Sequence, residues 1–141
     1  MTRISAHCRD LQLILIDHYF FEQQLDRSLA AIAGLELAVG GEDASISSLR
    51  GNVLAEMKRY PEAAQACRRA IASEPDFKQG YWCLITVGTS SNDGKVAVEG
   101  LTAYEQAFNL SFDPDKLAAK DAYKEVARTR EFAAWAKARK R

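Results

Sequence analysis

The stretch Tyr60-Pro-Glu-Ala-Ala-Gln-Ala-Cys-Arg-Arg-Ala-Ile-Ala-Ser-Glu-Pro-Asp76 decides the fold. Pro61 suits the first turn of a helix, where a missing N–H costs nothing. Ala63, Cys67, Ala70 and Ile71 then recur at helical spacing. Pro75 stops the helix, because a proline pushes the residue before it out of the α conformation. Most of the inward positions are small. Such a face lets a neighbouring helix approach at the short end of the usual ~8–10 Å axis separation.

The same pattern continues on both sides. Upstream, Gly51 sits where a partner helix must come close, and Leu54 and Met57 fill the space around it. Asp43 or Ser45 can cap that helix, which is expected to run to about Lys58. A helix over about Asp26 to Val39 precedes it and stops at Gly40-Gly41, a left-handed C-cap. The first helix runs from about Ser5 to Gln23, with Leu13, Ile16, Asp17 and Phe20 on one face. Downstream, a helix is expected from Lys78 to Thr89, a loop from Ser90 to Gly94, and a helix from Lys95 to Asn109. Beyond Pro114 come two or three shorter helices, the last from about Arg130 to Lys140. Few segments alternate with the period of a strand. The expected class is all-α.

A period of 34 residues brings related positions together. Leu13, Ser47 and Tyr81 align, as do Ile16, Arg50 and Leu84. Asp17, Gly51 and Ile85 align, then Phe20, Leu54 and Gly88, and in the second helices Leu29, Ala63 and Ala97. Residues 46 to 77 resemble the tetratricopeptide repeat in this register, through Gly51, Tyr60, Ala63, Ala70 and Pro75. The likeness is weaker over residues 11 to 110, where Asp17 and Ile85 replace the small residue and Gly88 departs from the pattern. The group Val39-Gly-Gly-Glu-Asp43, Leu49-Arg50-Gly51 and Glu131-Phe-x-x-Trp135 resembles that of certain bacterial repeat proteins. From these only fold and a partner-holding role carry over.

The resemblance implies a right-handed superhelix of antiparallel helix pairs. The whole chain, residues 1–141, then reads as one domain with units at about 11–44, 45–77 and 78–110 and a cap at 111–141. Leu117, Tyr123, Val126, Phe132 and Trp135 would close the last open face. Arg50 falls where an aliphatic residue is usual, so it is expected to pair with Asp17, Asp43 or Glu36, since a buried unpaired cation is costly.

The resemblance also implies that the first helices of the pairs line a concave surface holding a protein or peptide. By register that surface comprises Ile14, His18, Phe21 and Glu22, then Ser48, Asn52, Ala55 and Glu56, then Trp82, Thr86 and Thr89. The expected partner-binding residues are His18, Glu22, Ser48, Asn52, Glu56, Trp82 and Thr86. The Asn52 amide can both donate to and accept from a peptide backbone; the plainer alternative is a solvated asparagine. Trp82 suits a groove anchor or simple packing against the cap. No Lys or Arg occupies these positions, which disfavours a clamp for a C-terminal carboxylate.

Other classes find little support. Lys plus Arg equals Asp plus Glu at 19 each, without the basic excess of a dedicated nucleic-acid binder. Lys137, Arg139, Lys140 and Arg141 form a local basic end that complements a helix dipole. There is no phosphate loop, His-Glu-x-x-His or nucleophile elbow, so no enzyme and no cofactor are expected. His7, Cys8 and His18 make a poor metal set, because structural zinc wants four converging ligands. Three cysteines with no close pairing do not describe a disulfide framework. Cys67 and Cys83 read as small core residues. With no leader pattern and no membrane span, a cytoplasmic, reducing home is the default. Leu11, Leu13, Ile14, Leu15, Ile16, Phe20 and Phe21 cover more of the first helix than one face can hide. That supports an alternative function: a structural module forming a homo-oligomer through the first helix or the cap.

Overall fold

The computed structural model describes residues 6–139, with side chains described from Leu11 onward. Among these residues the chain is helical, without strands. The helices are α1 (Ala6–Phe21), α2 (Leu25–Val39), α3 (Ala44–Glu56), α4 (Tyr60–Ser73), α5 (Lys78–Ser91), α6 (Gly94–Phe108), α7 (Pro114–Ala118) and α8 (Arg130–Arg139). Two 3-10 turns, Asp121–Tyr123 and Val126–Arg128, lie between α7 and α8.

Local chemistry sets the boundaries. Gly40 closes α2 in the left-handed conformation at φ 83°. The Asp43 carboxylate caps α3 by accepting from the Ile46 N–H at 2.9 Å. Pro61 lies in the first turn of α4. The expected loop from Ser90 to Gly94 shrinks to a tight turn. Ser90 and Ser91 remain helical, Asn92 ends α5 at φ 55°, and Asp93 caps α6. Ser91 holds the extra turn by donating to the Val87 carbonyl at 2.7 Å. Short connections fold α1 onto α2, α3 onto α4 and α5 onto α6, while α3 and α4 both pack on α5.

The core runs through the molecule in three overlapping clusters. Ile16, Ile32, Leu35, Ile46 and Val53 join α1, α2 and α3. Leu54, Ala63, Ala66, Cys67, Cys83 and Leu84 join α3, α4 and α5. Ile85, Ala97, Leu101, Leu117, Tyr123, Val126, Phe132 and Trp135 join α5 and α6 to the C-terminal segment. Every tail residue expected to close the end is buried there.

Cys67 and Cys83 are buried as expected, but they are not free thiols. A disulfide joins them, with Cα atoms 5.4 Å apart. The spacing rule missed it because one cysteine lies on α4 and the other on α5, and only helix packing brings them together. The default of a reducing home loses the support it drew from unpaired cysteines. No helix among the described residues is long and apolar enough to cross a membrane.

Close approach is set by glycine. A Cβ on Gly51 would stand 2.5 Å from the Cys83 Sγ and 2.8 Å from the Cys67 Sγ. In the α5–α6 pair the small residue changes sides. Ile85 occupies the position aligned with Gly51, and Gly100 on α6 makes room, a Cβ there falling 2.8 Å from the Ile85 Cγ1. Gly88 then seats directly on the Ala97 backbone.

Two outcomes follow for stability. Gly88→Ala gains about 1 kcal/mol of helix propensity, yet its methyl meets backbone that cannot rotate away. Net destabilisation of about 1–3 kcal/mol is expected in urea unfolding; a stabilised variant would contradict the packing. The disulfide spans 16 positions, so protein refolded in reductant should lose about 3 kcal/mol. Identical unfolding curves with and without reductant would deny the bond a role.

Candidate functional site

α3 is the central helix, and burial governs what it can offer. Of its residues only Asn52 and Glu56, one turn apart, are exposed. Beside it, α5 exposes Lys78, Trp82, Thr86 and Ser90, each one turn from the last. The two stripes meet in a cleft of about 300 Å³ lined by Phe20, Asn52, Ala55, Glu56, Lys58, Tyr60, Thr86 and Ser90. A second cleft of about 150 Å³ adjoins it, between α1 and α3, lined by Ile16, Asp17, Phe20, Phe21, Leu49, Asn52 and Val53. Asn52 and Phe20 belong to both.

The structure thus brings Asn52, Glu56 and Thr86 together, with Ala55 beneath them. Ser48 is elsewhere: it is buried, and its hydroxyl donates to the Gln79 carbonyl at 3.3 Å, tying α3 to α5. His18 and Glu22 are exposed but line neither cleft. Ile14 is likewise outside; of the α1 residues expected on this surface only Phe21 lines a cleft, together with Asp17 and Phe20. Thr89 donates to the Thr86 carbonyl at 3.1 Å within its own helix.

Trp82 packs toward the cap and lines neither cleft. Its ring packs 5.2 Å from Tyr104 and 6.2 Å from Phe112, centroid to centroid, and it remains 39% exposed. Tyr81, Tyr104, Phe108 and Phe112 continue the aromatic cluster behind it. Such edge-to-face and tilted contacts fix ring orientation.

Lys58, Tyr60 and Ser90 were not foreseen as lining residues. Ser90 was hidden by its loop-like neighbours, although the spacing from Trp82 through Thr86 to Ser90 signals a continuing helix face. Lys58 is placed by a left-handed turn at φ 63°, which a lysine seldom adopts and no spacing rule announces.

A charged cluster steadies the other side of α3. Arg50 pairs with Glu36, one of the three acids expected, and also with Glu42 at 3.0 Å. Glu42 accepts as well from the Ser47 hydroxyl and from Arg69 at 3.4 Å. Burial pushes the Glu42 carboxyl up, but Ser47 and the Arg50 and Arg69 guanidinium groups outweigh it and hold it below the ordinary glutamate range. Beyond Tyr60, which also lines the 300 Å³ cleft, a further cleft of about 440 Å³ lies between α4 and α6 and includes Arg68 and Val96. Arg68 there makes a two-pronged bridge to Glu99 at 2.7 and 2.8 Å.

Among the described residues no three His, Cys, Asp or Glu side chains gather as a metal site. The side chains of His7 and Cys8 lie outside the described residues, as do Lys140 and Arg141 of the basic C-terminus. Comparison with protein-family models, with curated proteins and with solved structures returned no match.

The Glu42 cluster predicts a pH dependence. A carboxylate whose folded value is depressed contributes stability above its unfolded value and loses it as pH falls through the folded one. Glu42→Gln should therefore be less stable than wild type at neutral pH, with the difference shrinking below about pH 4. Urea midpoints at several pH values check this; a difference that persists in acid contradicts it.

Proposed function

We propose that the chain is a non-catalytic interaction module that holds an extended peptide or protein segment in the two joined clefts between α1, α3 and α5. The observation that carries this reading is Asn52. On a helix whose other residues, Glu56 apart, are buried or half-buried, its amide stays exposed where both clefts meet. An amide so placed can pair with the N–H and C=O of one residue of an extended chain. Phe20 and Phe21 offer apolar contact at one end, and Thr86 and Ser90 offer hydroxyls at the other. The groove carries Asp17 and Glu56 against Lys58, which favours a neutral or basic segment. In this reading the three hairpins are tetratricopeptide-like units of a right-handed superhelix forming one domain, and α7 to α8 are its cap. Nucleic acid, membrane and cofactor have no part in it.

Selection from a random peptide library displayed against the intact chain tests this. Peptides should enrich, and Asn52→Ala should weaken them about tenfold, the worth of one or two hydrogen bonds. Thr86→Trp, which fills the cleft from its rim, should abolish binding while helix content stays unchanged. No enrichment, or binding indifferent to both substitutions, would remove the groove as the site.

A further inference from the structure

A second surface of α1 lies outside both clefts except at its edge, where Phe21 also lines the smaller one. α1 packs chiefly on α2. It does so through Ile16, which is 1% exposed, with Leu13 and Phe20 beside it. On the opposite side Leu11, Ile14, His18 and Phe21 follow one another at intervals of three, four and three residues. That is the spacing of a coiled-coil seam. Leu15 lies next to it. The exposures are high for apolar residues: 49% for Leu11, 62% for Ile14, 42% for Leu15 and 78% for Phe21. One helix thus carries an inner apolar stripe that is used and an outer one that is not.

We propose that the outer stripe is a dimerisation seam on which a second copy of this chain docks its own α1, antiparallel. The pattern is self-complementary. About a twofold axis at the level of Ile16, Leu11 faces Phe21 of the other copy and Ile14 faces its His18, each contact occurring twice. A closed two-fold interface requires this reciprocity. The area is also adequate. The four apolar side chains expose roughly 400 Å² in one copy, about the largest patch of an ordinary monomer. Two copies contribute about 800 Å², and a rim of His18 and Glu22 brings the total toward the ~1,200 Å² of the smaller stable interfaces. An anionic lipid surface fits poorly, because no Lys or Arg occurs between Leu11 and Asp26 and a membrane-lying helix relies on such cations. The seam shares only Phe21 with the groove, and substitutions at Ile14 and Asn52 test the two separately.

Sedimentation equilibrium of the full chain across a dilution series tests the proposal. Wild type should be a dimer that dissociates at roughly micromolar concentration. Ile14→Asp should weaken the dimer about a hundredfold without loss of helix content, and Asn52→Ala should leave it unchanged. The register has its own test. Ile14→Cys and His18→Cys chains, each also carrying Cys8→Ser, should on mixing and mild oxidation cross-link to each other in preference to themselves. A wild type that is monomeric at every concentration overturns the proposal and leaves the stripe to an unlike partner. A dimer indifferent to Ile14→Asp overturns it too, and preferential 14-to-14 cross-links overturn the antiparallel register.

Discussion

Gly51 rests on the Cys67–Cys83 sulfurs, and the middle of the molecule is organised around that contact. A hydrogen in place of a side chain on α3 admits a sulfur bridge between α4 and α5. Three helices therefore meet at one buried point, where both cysteines are at most 2% exposed. Any added atom at residue 51 has to displace a covalent link rather than a rotatable side chain. Interiors packed to crystal-like density transmit such displacements. The positions of Asn52 and Glu56, on the opposite side of α3, are set by how deep Gly51 lets that helix sink.

Burial on both sides of α3 has a functional consequence. A helix with two exposed residues presents them in a fixed geometry, since its neighbours allow no rotation about its axis. Ser48 bonded to the Gln79 carbonyl and Arg50 paired with Glu36 and Glu42 hold the helix from either flank. At the far end, Phe132 and Trp135 of α8 cover α6, and Arg139 lies 4.7 Å above the Trp135 ring while pairing with the buried Glu105. Glu105 also accepts from the Phe112 N–H at 2.8 Å. That places Phe112 beside Trp82, so the cap reaches the exposed stripe of α5.

The helices were legible because punctuation and period agreed. Gly40, Asp43, Pro61 and Pro75 marked ends that the structure keeps within a residue or two, and the buried face of the tail followed from spacing. The partial failures have physical causes. Polar composition made residues 90–94 look like a loop, but Ser91 satisfies itself on the Val87 carbonyl and prolongs the helix. Ile85 looked like a defect because its small counterpart, Gly100, is on the other helix of the pair. The disulfide joins residues whose proximity depends on the α4–α5 crossing, which no linear spacing encodes. In the candidate site Asn52, Glu56 and Thr86 were placed together from the repeat register alone. On α1 that register named Ile14, His18, Phe21 and Glu22, of which only Phe21 lines a cleft, beside Asp17 and Phe20. A repeat register fixes position along a helix more firmly than rotation about its axis, and α1 carries Asp17 where α3 has Gly51.

The proposed ligand site is one continuous groove across α1, α3 and α5. Amide chemical-shift mapping of the labelled chain with a library-selected peptide tests it most directly. Perturbations are expected at Phe20, Asn52, Glu56 and Thr86, with the side-chain amide of Asn52 among the largest. Perturbations confined to Gln65, Arg68 and Val96, in the cleft between α4 and α6, would contradict it.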